Sequence, residues 1–117
     1  MTRAPRLTLP AGACDCHMHI LGPAAAFPYG GRRSAPPPDA TLEDYRALCR
    51  RLGLTRTVFV QPSAYGSDHA CTLDAIARSA PDARGVAMVD VDVADAELER
   101  LTAGGMRAVR FLSMSDA

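Results

Sequence analysis

The stretch Ala13-Cys14-Asp15-Cys16-His17-Met18-His19-Ile20 decides how the rest of the chain is read. It sets two histidines one residue apart, with an aspartate two positions before the first, inside an otherwise apolar run. Side chains alternate between the faces of a strand. As a strand, the stretch is expected to show Asp15, His17 and His19 on one polar face. Cys14, Cys16, Met18 and Ile20 then pack against helices on the other, with Cys14 and Cys16 as buried structural thiols.

Working outward, residues 1–12 (MTRAPRLTLPAG) show no periodicity and read as an extended lead-in to a domain over 13–117. Beyond the stretch, Leu21 to Ala40 is too rich in proline and glycine for helix or strand, and is predicted to be a long loop. Its Phe27 and Tyr29 either cover a ligand or tuck against the loop's own prolines. Thr41-Leu42-Glu43-Asp44 resembles a capping box. Apolar residues then follow at Leu42, Tyr45, Leu48, Cys49 and Leu52, one face of a helix that ends at Gly53. Arg50 and Arg51 suit the dipole of its last turn better than a substrate.

Thr57-Val58-Phe59-Val60 is a short β-prone apolar run, as in a strand buried on both faces. The turn Gln61-Pro62-Ser63-Ala64-Tyr65-Gly66 follows. A helix is expected from about Asp68, burying Leu73, Ile76, Ala77 and Ala80 and stopped by Pro81, with His69 near its start at the surface. A third strand at Gly85–Val89, a third helix over 94–103 and a fourth strand at Arg107–Leu112 complete a β-α-β-α-β-α-β order. That order implies parallel α/β architecture, as an open doubly wound sheet or as part of a (β/α)8 barrel.

Composition narrows the function. The hydrophobic fraction is 48%, and thirteen basic residues balance thirteen acidic ones, which leaves no field for nucleic acid or an anionic membrane. All thirteen are arginine, so Schiff-base and P-loop lysine chemistry is excluded and arginine is the fixed cationic anchor for an anionic substrate. No apolar run reaches membrane-spanning length and no signal peptide precedes the four cysteines, which suggests a reduced, cytoplasmic protein. Neither glycine-rich phosphate-binding pattern follows the first strand. Histidines at the carboxyl end of a first strand suit a barrel, whose active sites are built at that face.

Asp15-Cys16-His17-Met18-His19 resembles the D-x-H-x-H of the amidohydrolase superfamily. The similarity extends through Phe27-Pro28-Tyr29, the 40–45 segment, the Gln61–Gly66 turn and Gly105–Phe111, and is to the amidohydrolase 2 branch, which includes 2-pyrone-4,6-dicarboxylate lactonases. The resemblance implies the amino-terminal half, about four βα units, of a (β/α)8 barrel. It implies that His17 and His19 polarise a lactone carbonyl or hold a divalent metal, zinc or manganese. It also implies that Tyr29, Ser63 and Arg110 bind the carboxylates and ring oxygens of a small-molecule substrate. Arg110 could instead form an interior ion pair, and Ser63 could cap the turn. The family's later histidines and its water-activating aspartate match nothing here, and Asp90 and Asp92 are expected to end the third strand. The expectation is therefore part of a lactone-acting hydrolase, inactive on these 117 residues alone, with open sheet edges prone to self-association. A decarboxylase, a lactone isomerase and a non-catalytic interaction module are the alternatives.

Overall fold

The computed structural model describes residues 3–30 and 37–112. Residues 31–36 of the expected long loop, and 113–117 of the expected domain, lie outside the described residues. The elements are β1 (Cys14–Met18), α1 (Leu42–Leu52), β2 (Arg56–Val60), a 3-10 turn (Ser63–Tyr65), α2 (Ala70–Ser79), β3 (Ala83–Met88), α3 (Asp95–Ala103) and β4 (Met106–Arg110). The local signals explain α1 closely. Thr41 and Asp44 form the reciprocal capping box, and Gly53 closes the helix in the left-handed conformation at φ 81°.

The four strands are parallel in the order β1-β2-β3-β4. Every crossover advances in one direction, and right-handed connections place all the helices on one face of such a sheet. A doubly wound sheet must reverse its strand order, so the arrangement is that of successive barrel units. The core lies between sheet and helices, around Phe59, Ile76, Ala87, Leu101 and Met106, each below 5% exposed. Gly85 lets the layers close. A Cβ there would stand 2.5 Å from Met106 Sδ and 2.6 Å from Ile76 Cδ1.

The other face of the sheet has no covering layer among the described residues. In consequence the strand expectations fail in part. Cys14 is only half-buried and Cys16 is exposed, rather than both being packed under helices. Met18 and Ile20 do turn into the core as expected. The cause is a bulge, because Asp15 pairs with Thr57 but Met18 with Phe59, so β1 spends one residue more than β2 over the same span. In α1, Leu48 is 42% exposed. In α2, Ile76 is buried and Leu73 packs against the core as expected, but Ala77 and Ala80 are exposed and Cys71, Thr72 and Ala75 are buried in their place. The helix is rotated from the expected face because the Thr72 hydroxyl is drawn inward by Gln61 Oε1, at 2.6 Å.

Candidate functional site

The bulge that displaces the cysteines also divides the D-x-H-x-H stretch. An extra residue inverts side-chain alternation, so Asp15 does not share a face with His17 and His19. It reaches the helix side, where its Oδ2 accepts from the Tyr45 hydroxyl of α1 at 3.0 Å. Tyr45 has one proton to give, so Thr57 Oγ1 donates to it across 2.9 Å. Asp15 Oδ1 accepts the His17 backbone N–H at 3.2 Å, across the bulge itself. The aspartate therefore fixes the turn of the chain that presents the histidines. Burial pushes the Tyr45 hydroxyl pKa far up, so Tyr45 remains a neutral donor.

His17 and His19 remain together, edge to face with ring centroids 5.3 Å apart. Both are exposed on the face opposite the helices. His19 Nδ1 lies 2.7 Å from the Val60 carbonyl oxygen. A carbonyl only accepts, so Nδ1 carries the proton and Nε2 of the neutral ring offers a lone pair. Neutral His19 can thus take a proton or ligate at Nε2 but cannot donate there. Any imidazole donor to a substrate carbonyl is left to His17.

Arg110 reaches the same strand end from β4, where Nη1 donates to the Gln61 carbonyl at 3.1 Å. The interior ion pair weighed from sequence does not form among the described residues. Ser63 opens the 3-10 turn two residues further on and is exposed. Its carbonyl accepts from Gly66 N–H at 3.0 Å. Tyr29 stacks on Tyr65 with centroids 5.1 Å apart, and its hydroxyl donates to Asp39. Tyr65 in turn accepts the Gly22 N–H at 2.8 Å. The loop aromatic is thus tied to this turn rather than to the loop's prolines. His19, Arg110, Tyr29 and Ser63 converge on one segment, Val60–Tyr65, at the carboxyl end of β2, and His17 reaches it only through the ring of His19.

Sequence reading missed what holds that segment. Gln61 is fully buried, its amide donating to the Gly66 and Asp68 carbonyls at 2.9 and 2.8 Å and its oxygen accepting from Thr72. A glutamine directly after an apolar strand and before proline was the available signal. His69, expected at the surface, is 3% exposed. Its Nε2 accepts the Met88 backbone N–H at 3.0 Å.

Metal binding can be tested on the donor set. Among the described residues, no group of three or more His, Cys, Asp or Glu side chains could hold an ion. Zinc centres take three or four protein ligands; the imidazole pair could supply two of them and the described residues supply no third, so no step is derived through a metal. Cavities of about 440 and 390 Å³ open elsewhere, beside α1 and between α3 and β4. The histidines are exposed and Arg110 is half-buried.

A family model for amidohydrolases matches residues 14–116. The chain belongs to the amidohydrolase family. This amidohydrolase is 44% identical over 103 residues to a 4-sulfomuconolactone hydrolase of Rhizobium radiobacter, covering 88% of this chain and 34% of that one. It is 43% identical over 107 residues to a 2-pyrone-4,6-dicarboxylate hydrolase of Comamonas testosteroni, covering 92% and 35%. It therefore spans about a third of the length of these curated relatives. An apo crystal structure from Agrobacterium tumefaciens superposes with a TM-score of 0.82 at 31% identity, over 95% of this chain and 40% of that one. A second, a "probable 2-pyrone-4,6-dicarboxylic acid hydrolase" from Acinetobacter baumannii with citric acid bound, gives 0.73 at 28% identity, over 84% and 36%. The four strands and the three helices between them thus match part of a longer α/β barrel-type fold, as the sequence resemblance implied.

Proposed function

We propose that this amidohydrolase chain carries the carboxylate anchor and the imidazole pair of a lactone-acting hydrolase. The observation that carries the reading is the convergence of His19 and Arg110 on consecutive carbonyls, Val60 and Gln61, at one strand end. Arg110 meets a substrate carboxylate with its planar fork. His17 donates to the lactone carbonyl, and His19 Nε2 receives a proton. Ring opening adds water to the acyl carbon and cleaves the ring ester bond, yielding a carboxylate and a hydroxyl. No described carboxylate stands beside the imidazoles to activate that water, since Asp15 is turned away to Tyr45. Turnover accordingly requires groups beyond the described residues. Relatives acting on a sulfomuconolactone and a pyrone dicarboxylate support an anionic lactone as substrate. Ser63 and Tyr29 flank the carboxylate end as substrate-binding residues in this reading, and the free thiols fit a cytoplasmic setting. The test is equilibrium binding of 2-pyrone-4,6-dicarboxylate. The expected result is saturable binding that Arg110→Ala weakens at least about tenfold, the loss of a charge-assisted pair. Equal binding by Arg110→Ala, or no binding by the wild type, would overturn the reading.

A further inference from the structure

The hydrogen-bond ladder breaks in an informative way where β2 leaves the sheet. In a parallel pair the bonds recur at alternate residues. Val60 is the register partner of Val86, whose carbonyl accepts the Gln61 N–H at 2.9 Å. The next rung of that ladder would join the Met88 N–H to the Gln61 carbonyl. It does not form. Met88 N–H goes to His69 Nε2, and the Gln61 carbonyl accepts from Arg110.

We infer that His69 is a positioning residue for Arg110: by supplying a substitute acceptor for the Met88 amide, it leaves the Gln61 carbonyl to the Arg110 guanidinium. This rests on the reading of Arg110 as the carboxylate anchor. The turn from Gln61 to His69 straddles the end of β3, held at one end by Arg110 and at the other by Met88. Met88 and Arg110 are also register partners across β3 and β4, so a shift in one is felt by the other. The arrangement has a cost. Since Nε2 accepts, the proton sits on Nδ1, and this buried N–H has no hydrogen-bond partner among the described residues. A buried polar atom left unpaired calls for an explanation, and the substitute rung provides one.

The mechanism requires a neutral ring, because a protonated His69 has no lone pair for Met88. Burial keeps the imidazole below its ordinary value, against the attraction of Glu97. Glu97 and Arg100 face it from α3, Asp90 and Asp92 line the adjoining cavity of about 230 Å³ from the β3–α3 connection, and Asp68 precedes it on its own turn.

The experiment is nuclear magnetic resonance of the 15N-labelled 117-residue chain, comparing wild type, His69→Phe and His69→Gln. His69→Phe is expected to speed Met88 amide exchange and to weaken pyrone dicarboxylate binding, each roughly three- to tenfold, the scale of one hydrogen bond. It should also shift the Arg110 side-chain signals. His69→Gln, whose amide oxygen can accept, restores all three. In the wild type, lowering the pH must move the Arg110 signals with the midpoint of the His69 ring. Arg110 signals unmoved in a folded His69→Phe, or titrating apart from His69, would overturn the inference. If His69→Phe does not fold, the wild-type titration decides. Should the lactone fail to bind at all, the anchor reading falls while the Arg110 signals still judge His69.

Discussion

Replacing Asp15 tests whether this carboxylate builds the site rather than belonging to it. Asp15→Ala removes two bonds at once, from Tyr45 Oη at 3.0 Å and from the His17 amide at 3.2 Å. Hydrogen bonds to charged groups contribute about 1.5–3 kcal/mol. The His17 amide lies on the exposed side, so it falls below that range and the Tyr45 bond within it. The sum is about 2–3 kcal/mol, or roughly 10–20 °C in Tm for a chain of this size. Tyr45→Phe removes the Asp15 bond together with the one from Thr57 Oγ1 and should cost about 2–3 kcal/mol. In the double variant the shared bond is counted once, leaving a coupling of about 1.5–2 kcal/mol. Urea denaturation followed by circular dichroism measures all of these. The reasoning fails if Asp15→Ala costs under about 0.5 kcal/mol, or if the two substitutions are additive, since either result would detach Asp15 from Tyr45.

Three further expectations follow from the same contacts. Gln61→Leu strands the Thr72 hydroxyl in the interior and releases the part-buried bonds to the Gly66 and Asp68 carbonyls, and should destabilise by about 2–3 kcal/mol, read from denaturation midpoints. His69 is lowered by burial from an ordinary 6.5, so the unfolded chain binds its proton first as pH falls. Stability contributed by the neutral ring is full above about pH 6.5 and declines toward the folded value below it. Denaturation midpoints across that window should drop less in His69→Phe than in wild type. Finally, among the described residues β1 and β4 are the outer strands of the sheet, and Val109 in β4 and Phe111 and Leu112 after it are 44%, 59% and 44% exposed. Such an edge templates pairing with another chain, so size-exclusion chromatography should show concentration-dependent self-association, and a sharply melting monomer would count against it.

Much of the fold was legible because its signals are local. Thr41 and Asp44 cap α1, Gly53 ends it, and the Thr57–Val60 run has few alternatives to a buried strand. What escaped the sequence depends on geometry between elements. Period-two alternation assigned Asp15 to the histidine face, but it assumes a regular strand, and only the pairing with β2 reveals the extra residue. His69 looked like a surface histidine because nothing near it in sequence tells that Met88, nineteen residues on, presents an unmatched amide. The grouping of His17, His19, Ser63, Tyr29 and Arg110 was implied by family resemblance. That His19 and Arg110 meet on consecutive carbonyls of one strand end could only be seen in the structure.

The central claim is that Arg110 and the histidine pair form one site for an anionic lactone. The most direct test follows the His17, His19 and Arg110 side-chain signals while 2-pyrone-4,6-dicarboxylate is titrated into the chain. All three are expected to shift along a single isotherm, and in Arg110→Ala the His17 and His19 shifts should need at least about tenfold more ligand. Saturable binding that moves Arg110 but leaves both imidazoles unchanged would contradict it.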